Sequence, residues 1–264
     1  MIHTMEKALA KLRQEKPLIL NLTNLVTMDF IANCLLALGA SPIMSICEAE
    51  IEELVRMSSA IYINMGTLDE AFISLSEKAI QFSEKYHKPI VLDPVGAGAT
   101  RIRTQTAKMI APFADMIRGN ATEILALGGE ACETKGVEST HQTDSAKESA
   151  NRLACHYQST VIVSGSIDFV TDGRRTSQIA HGSALMQGVT GMGCALTAVT
   201  AAFKAVVDDP FEAGLVSAYY FALCGEVAGL HHNNLGSFKS AFLDQLYNPD
   251  FECMKERVDK STVL

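Results

Sequence analysis

Short apolar runs alternate with amphipathic stretches over the first 165 residues of this chain. The runs are rich in Ile, Val and Leu and are bounded by Pro, Ser, Asn or charged residues, a pattern typical of buried strands. Six of them are clear, at residues 18–20, 42–44, 61–63, 90–92, 116–117 and 161–163. The intervening stretches carry apolar residues at helical spacing, as at residues 28–38, 68–86, 122–127 and 147–156. This alternation predicts an α/β fold, a mostly parallel central sheet with helices on both faces.

The pattern changes after residue 165. Residues 169–171 and 178–180 flank the turn Asp172-Gly173, which predicts a hairpin and therefore an antiparallel edge of the same sheet. Ala-rich helical stretches at residues 195–207 and 213–230 are expected to pack on the sheet and not to form a second domain. Since α/β folds often hold such a length in one unit, a single domain over residues 1–264 is expected. The polar residues 129–141 are predicted to form a surface loop.

Composition and charge narrow the class of partner. Thirty Asp and Glu against 22 Lys and Arg give a net charge of −8, which disfavours nucleic acid and anionic membrane surfaces and favours a small-molecule ligand. The seven scattered cysteines show no metal-ligand spacing and fit reduced thiols. The N-terminal residues lack a continuous apolar leader, and the apolar residues 213–230 are interrupted by Glu226 and three glycines. We therefore expect a cytoplasmic protein without a membrane span.

A glycine-rich turn at residues 189–196 is the strongest candidate for chemistry. In it Gly191 and Gly193 precede Cys194 and an Ala-rich helix. Such a turn presents backbone N–H groups and a positive helix end to an anion, which is the electrostatic stabilisation that phosphoryl transfer requires. From these residues alone, a tight structural loop with Cys194 as a small buried side chain is an equally good interpretation.

Asp93 ends a predicted strand beside the glycine-rich residues 94–100. In an open parallel sheet, ligands bind at the carboxyl ends of the strands, so this carboxylate is well placed to hold Mg²⁺ near a nucleotide. The simpler alternative is that Asp93 caps the turn that follows it.

Residues 118–123 again follow a strand and open a helix. Arg118 is suited to pairing with phosphate oxygens, and Glu123 is placed to face the same cavity. The structural alternative is a capping box in which Asn120 caps the helix and Glu123 is its reciprocal partner. Both interpretations can hold together.

Two earlier residues are candidates for contact with a small heteroaromatic ligand. Asn24 is polar, and Met44 is flexible and polarisable. A capped helix and a core methionine are the simpler explanations of these two residues.

Taken in order, these segments resemble the hydroxyethylthiazole kinase family, a branch of the ribokinase-like enzymes. The resemblance runs from about residue 21 to residue 207. It is carried by Asn21-Leu22-Thr23-Asn24, Gly39-Ala40-Ser41-Pro42-Ile43-Met44, Asn64-Met65-Gly66-Thr67, Leu92-Asp93-Pro94-Val95-Gly96, Arg118-Gly119-Asn120-Ala121-Thr122-Glu123 and Val189-Thr190-Gly191 with Gly193-Cys194.

The resemblance implies a ribokinase-like subunit, usually a homotrimer with active sites at subunit interfaces. It implies transfer of the ATP γ-phosphate to the alcohol of 5-(2-hydroxyethyl)-4-methylthiazole, for thiamine biosynthesis or salvage, with Mg²⁺ as cofactor. Site roles follow residue by residue. The residues implied to contact the thiazole are Met44, Gly191 and Asn24, and those implied to contact the nucleotide are Arg118 and Ser164. Asp93 and Glu123 are implied to form the Mg²⁺ environment. The residues implied to act in the phosphoryl transfer are Cys194, Gly191 and Gly193.

Cys194 distinguishes this family from other ribokinase-like kinases, which generally have Asp at that place as acceptor of the hydroxyl proton. A helix N-terminus can lower a thiol pKa, so a thiolate base is one possibility, and positioning of the alcohol is the other. Two departures from the family pattern are Met192, where a smaller residue is usual, and Ser164, where Thr is usual.

Three alternatives remain at this level. Two are other ribokinase-like enzymes, a hydroxymethylpyrimidine kinase and a dehydratase acting on hydrated nicotinamide cofactors, and Cys194 in place of Asp argues against both. The third is a non-catalytic sensor of thiazole or nucleotide. Against the sensor stands the joint presence of Asp93, Glu123, Arg118 and both glycines.

Overall fold

The computed structural model describes residues 1–130 and 140–261, without the side chains of residues 140–143 and 261. Cys132 and most of the loop predicted at residues 129–141 lie outside the described residues, although Thr140 already begins a helix. The strands run β1 (Leu18–Leu22), β2 (Ser41–Met44), β3 (Ala60–Asn64), β4 (Ile90–Asp93), β5 (Met116–Asn120), β6 (Thr160–Ser164), β7 (Asp168–Thr171) and β8 (Thr176–Ile179). The α-helices are α1 (Ile2–Glu15), α2 (Met28–Leu38), α3 (Ile51–Met57), α4 (Glu70–Tyr86), α5 (Arg101–Ile110), α6 (Ala121–Leu127), α7 (Thr140–Tyr157), α8 (Met192–Lys204), α9 (Pro210–His231), α10 (Leu235–Tyr247) and α11 (Phe251–Ser261).

The strands form one sheet in the order β2-β1-β3-β4-β5-β6-β7-β8. Strands β1 to β6 pair in parallel, and β7 and β8 add an antiparallel edge, with Phe169 opposite both Val163 and Gln178. The sheet and its hairpin edge are therefore confirmed. The strands are longer than the apolar runs because backbone pairing extends to flanking polar residues such as Asn64, Asp93 and Asn120.

Helices cover both faces of the sheet, as the alternation predicted. Neighbouring residues on one strand enter different cores because strand side chains alternate between faces. On β1, Ile19 packs into the core built with α1, α2, α8, α9 and α10, and Leu20 packs into the core built with α3 to α7. A sheet buried on both faces explains why its strands are continuous apolar runs.

Helix α8 begins earlier than the sequence indicated. It starts at Met192, so Gly193 and Cys194 lie within its first turn and not in a loop before it, and it ends at Lys204. Met192 turns into the core, where it is 7% exposed, and this settles how a bulky residue fits between two glycines. The phosphate-binding candidate is thus the start of the helix itself.

The sequence predicted no membrane span. By length and composition, α9 could nevertheless cross a membrane, and it is the one helix among those described for which this holds. However, 72% of its apolar window is buried inside the fold. Packing against α8 and α10 accounts for this composition, since a helix that is apolar all round suits the core of a protein as well as a bilayer.

Candidate active site

Asp93 lies at the carboxyl end of β4 with no exposed surface. Its Oδ2 accepts hydrogen bonds from Thr197 Oγ1 at 2.8 Å and from Asn64 Nδ2 at 3.1 Å, whereas Oδ1 is buried without a partner. Burial raises the pKa of Asp93 to about 6, against the opposing charge of Arg118, and nearby Glu123 adds to the rise. The side chain caps no turn, so that interpretation of Asp93 was wrong. An unpaired buried oxygen of this kind is suited to a ligand.

Asn64 joins this carboxylate to the preceding loop. Its Nδ2 donates to Tyr62 Oη at 2.6 Å as well as to Asp93, and its Oδ1 accepts from Asn24 Nδ2 at 2.9 Å and from Gly66 N at 2.9 Å. All four of its hydrogen-bonding positions are thus used in a site without solvent exposure. The sequence motif contained Asn64 without a role, because its partners are set by the register in which Asn64 lies opposite Asp93.

Asn24 approaches the thiol of Cys194. Its Nδ2 lies 3.6 Å from Cys194 Sγ, and its Oδ1 accepts from Val26 N, Thr27 N and Thr27 Oγ1 at 3.0 to 3.1 Å. These bonds order the turn that leads into α2. The N-cap of α2 is Thr27, without a side-chain capping bond, so the interpretation of Asn24 as a helix cap was wrong.

The Cys194 thiol is a weaker acid than an ordinary cysteine. Burial raises its pKa first and the charge of Asp93 raises it further, and the polar neighbours Asn64, Thr27 and Arg118, which act to lower it, do not reverse this. The helix N-terminus therefore does not yield a stable thiolate here, and the thiolate base considered from the sequence is disfavoured. A neutral thiol can position a hydroxyl without removing its proton.

The start of α8 is closely packed against its surroundings at both glycines. Gly191 adopts φ +92°, and a Cβ there would come within 2.9 Å of Thr27 Cγ2. A Cβ on Gly193 would come within 2.5 Å of Arg118 Nη1 and 2.8 Å of Nη2. The first helical hydrogen bond is Ala195 N to Gly191 O at 2.8 Å, and Met192 N donates to Val189 O at 3.5 Å. Helix geometry leaves the N–H groups of Gly193 and Cys194 available to an anion.

Arg118 links this helix start to the neighbouring strands. Its guanidinium, with a side chain 10% exposed, donates to Ser164 Oγ and lies 3.8 Å from Asp93 Oδ2. Its Nε is buried without a partner. A cation held between a carboxylate and a hydroxyl, with an unused donor, is well placed for phosphate oxygens.

Glu123 forms the capping box considered from the sequence. Its Oε2 accepts from Asn120 N and Asn120 Oδ1 accepts from Glu123 N, both at 2.9 Å. Its Oε1 accepts from Gly96 N at 2.9 Å and so fixes the loop that follows Asp93.

A cavity of about 810 Å³ opens beside these residues. It is lined by Arg118, Ser164 and residues 189–193 on one side, and by residues 180–184, 186 and 187 with Phe221 and Ala222 of α9 on the other. Asp168, which sequence reasoning did not select, also faces it; burial raises the Asp168 pKa to about 6, opposed by the Gly165 N–H and Arg118. The volume suits a ligand of nucleotide size.

A family model decides the classification. The model of the hydroxyethylthiazole kinase family matches residues 9–252. The chain belongs to this family. Similar hydroxyethylthiazole kinases include that of Chlamydia caviae, 49% identical over 257 residues covering 97% of this chain and 98% of the relative, and that of Pyrococcus furiosus, 44% identical over 243 residues covering 91% of each.

Solved structures give the same classification. The hydroxyethylthiazole kinase of Pyrococcus horikoshii OT3 matches with a TM-score of 0.88 at 39% identity, over 97% of this chain and 96% of that one. A Bacillus subtilis pyridoxal kinase, solved as an ADP complex, matches with a TM-score of 0.61 at 14% identity, over 79% of this chain and 91% of that one, and shows the shared fold. The ribokinase-like fold expected from the sequence is confirmed.

Most of the site residues selected from the sequence meet at one edge of the sheet in this hydroxyethylthiazole kinase family member. Contacts connect Asn24, Asp93, Arg118, Ser164, Gly193 and Cys194, directly or through Asn64. Met44 lies apart from this network at the end of the outer strand β2, half-buried, with Asn21 as its register neighbour. Asn64, Thr197, Tyr62 and Asp168 are the site residues that sequence reasoning missed.

Proposed function

We propose that this protein transfers the γ-phosphate of ATP to the hydroxyl of 5-(2-hydroxyethyl)-4-methylthiazole, giving the thiazole phosphate used in thiamine biosynthesis or salvage. The observation that carries the proposal is the contact of Gly193, in the first turn of α8, with the Arg118 guanidinium beside Asp93. This arrangement brings free N–H groups and a cation to the wall of the cavity, with the buried Asp93 carboxylate 3.8 Å from the cation. Residues 1–264 act as one kinase domain in this proposal.

Arg118 and the free N–H groups at the start of α8 hold the phosphate oxygens in our proposal. Charge spreads over these oxygens in the transition state, and fixed donors stabilise it without rearrangement. Ser164 keeps the hydroxyl of the Thr that is usual in the family, and its Oγ accepts from Arg118. The guanidinium is therefore oriented before the nucleotide arrives.

Mg²⁺ fits the carboxylate chemistry of the site. Asp93 offers a buried, unpaired Oδ1, which is a suitable magnesium ligand. Glu123 is close enough to raise the Asp93 pKa, but both of its oxygens accept backbone N–H groups, so its contact with the ion would run through water. When bound, the ion neutralises charge on the transferring phosphate. The chain contributes the ionised Asp93 carboxylate, which Thr197 and Asn64 hold in place as the metal ligand.

The acceptor alcohol lies beside Cys194 in this proposal. The neutral thiol and the amide of Asn24 fix the hydroxyl, and Gly191 lets the substrate approach the helix start closely. The alcohol oxygen forms the new bond to phosphorus and ADP leaves with the old bridging oxygen. The alcohol proton passes late to an oxygen of the transferred phosphoryl group, since bond breaking leads in phosphoryl transfer. Replacement Cys194→Asp is still expected to leave activity unchanged or to raise it.

Met44 completes the thiazole pocket through a homotrimer in our proposal. Exposed apolar side chains follow the outer strand β2 and its neighbour β1, with Ile46 77% exposed after β2, and Val26 72% and Leu25 68% exposed after β1. Such a cluster favours contact with another protein surface. The variant Ile46→Asp should lower the mass measured by light scattering and raise the KM for thiazole, while a trimer unaffected by it would contradict this location of the interface. We further propose that the enzyme works in the cytoplasm.

The experiment that tests the function is an ATP-consumption assay with three alcohols. Hydroxyethylthiazole, hydroxymethylpyrimidine and pyridoxal are each offered with Mg²⁺ and with the metal chelated. We expect turnover with the first alcohol alone and loss of that turnover on chelation. Phosphorylation of pyridoxal or hydroxymethylpyrimidine instead would contradict the substrate assignment, and ATP binding without turnover would favour a sensor.

A further inference from the structure

His181 lies in the wall of the cavity, away from the phosphate-binding residues. It follows β8, its side chain is 5% exposed, and it is one of the lining residues of the side formed by residues 180–184, 186 and 187 with α9. Its Nδ1 lies 2.8 Å from Glu226 Oε2 of α9. The other oxygen of Glu226 lies 3.8 Å from Arg257 Nη1 of α11. The ring is thus fixed from behind by a carboxylate that is itself paired.

The carboxylate decides which nitrogen of His181 carries hydrogen. Burial alone would raise the pKa of Glu226, but the hydrogen bond and charge of His181, with the Gly182 N–H and Arg257, lower it overall, so Glu226 is ionised at neutral pH. An ionised carboxylate accepts, so Nδ1 carries the hydrogen and donates. In the neutral imidazole Nε2 is then an acceptor. Among the described residues, the hydrogen bonds of this ring involve Nδ1 alone.

The cavity has two chemically different sides. Arg118, Ser164 and the start of α8 offer donors and positive charge, and the side with His181 adds the apolar Phe221 and Met186. A triphosphate held at the first side leaves the ribose and base to the second. Resting on the proposed function, we infer that His181 Nε2 accepts a hydrogen bond from the nucleoside of ATP and is a specificity-determining residue for the phosphate donor.

A purely structural role is the competing explanation. The His181, Glu226 and Arg257 contacts connect the segment after β8 to α9 and α11, which would stabilise the fold without any ligand. Asparagine at position 181 separates the two roles, because its amide nitrogen occupies the place of Nδ1 and has nothing at the place of Nε2. The variant His181→Asn keeps a donor to Glu226 and removes the ring acceptor Nε2.

The experiment compares wild type with His181→Asn for ATP, inosine triphosphate and 2′-deoxy-ATP. The KM for ATP should rise about five- to tenfold, as for the loss of one neutral hydrogen bond, with the KM for thiazole unchanged. Inosine triphosphate lacks the 6-amino donor and 2′-deoxy-ATP lacks a ribose hydroxyl. The analogue that lacks the donor to Nε2 should have a raised KM with wild type, and His181→Asn should not raise this KM further. That analogue identifies the donor as the 6-amino group or the 2′-hydroxyl. The control is His3→Asn, since His3 is exposed and far from the cavity in chain and fold.

Two outcomes would overturn the inference. One is an unchanged KM for all three nucleotides. The other is a fall in the unfolding temperature with both substrates weakened together, which is the structural role alone. If wild type shows no kinase turnover, the proposed function fails instead, and calorimetric titration of both proteins with ATP then tests His181: equal affinities overturn the inference, and a five- to tenfold weaker affinity of His181→Asn supports it.

Discussion

The replacement Gly193→Ala tests whether the start of α8 must contact Arg118. The new Cβ would lie 2.5 Å from Nη1 and 3.0 Å from Cζ of Arg118, whereas ordinary contacts begin near 3.4 Å. The guanidinium would have to move by roughly 1 Å, and it is buried, bound to Ser164 and close to Asp93. Since a misplacement of about 1 Å at a reacting centre costs on the order of 10²-fold in rate, kcat/KM should fall by about that factor.

The matched control is Gly236→Ala. Gly236 is the second residue of α10 as Gly193 is the second residue of α8, and a Cβ on it meets nothing within 4 Å. Gly236→Ala should change the free energy of unfolding by no more than about 1 kcal/mol, the helix-propensity difference between Gly and Ala. Gly193→Ala adds the cost of displacing the Arg118 side chain, about 1 to 3 kcal/mol. Steady-state kinetics and thermal melting are compared for the two variants. Full activity of Gly193→Ala would refute the role of this contact.

Three further replacements test the polar network. Asp93→Asn should abolish turnover and yet stabilise the ligand-free protein. The pKa of Asp93 is about 6 in the folded protein and 3.8 as the usual value. The free energy of unfolding of wild type should therefore fall by about 1 to 3 kcal/mol as pH rises from about 4 to about 6, and that of the variant should not. Thr197→Val should lower kcat about tenfold by removing the 2.8 Å donor to Asp93, and Thr197→Ser should restore it. Cys194→Ser should keep activity within about tenfold, because the burial-raised thiol pKa leaves no thiolate to lose.

Each of these has a contradicting result. Chemical unfolding between pH 4 and 8 that gives parallel curves for wild type and Asp93→Asn would show that the carboxylate is not desolvated. Equal kcat values for Thr197→Val and Thr197→Ser would remove the hydroxyl from the argument. A loss of several orders of magnitude in Cys194→Ser, with an alkaline rise in wild-type rate, would restore the thiolate base.

The sheet could be predicted because its strands carry their own signal. Burial on both faces makes each strand a continuous apolar run, and the turn dipeptide Asp172-Gly173 predicts the hairpin edge. The start of α8 was misplaced because Gly191, Met192 and Gly193 look like a turn in isolation. Position 193 is glycine because Arg118, distant in sequence, fills the space that a side chain would take. That reason is tertiary and leaves no local trace.

Only part of the site could be predicted, because tertiary contacts again position the residues that were missed. Asp93, Arg118 and Cys194 were found because they follow strands or glycines in patterns that have a chemical meaning. Asn64 and Thr197 were missed because their roles depend on the register of β3 with β4 and on the packing of α8 over that strand. His181 is recognisable only once Glu226 of α9 is brought to it. Non-local pairing decides these functions, and no spacing in the sequence encodes it.

Asn64 hydrogen-bonds to several of the polar groups that are buried at this edge of the sheet. Leaving any one of them unpaired would cost about 1 to 3 kcal/mol, so a half-satisfied network would be worse than an apolar one. By donating to Asp93 and accepting from Asn24, Asn64 connects the carboxylate on the phosphate side to the residue beside the Cys194 thiol. The Asp93 carboxylate and the Cys194 thiol are therefore held by one hydrogen-bonded unit, and a shift on either side changes their separation. In a reaction that depends on positioning more than on proton removal, such rigid coupling contributes more than a strong base would.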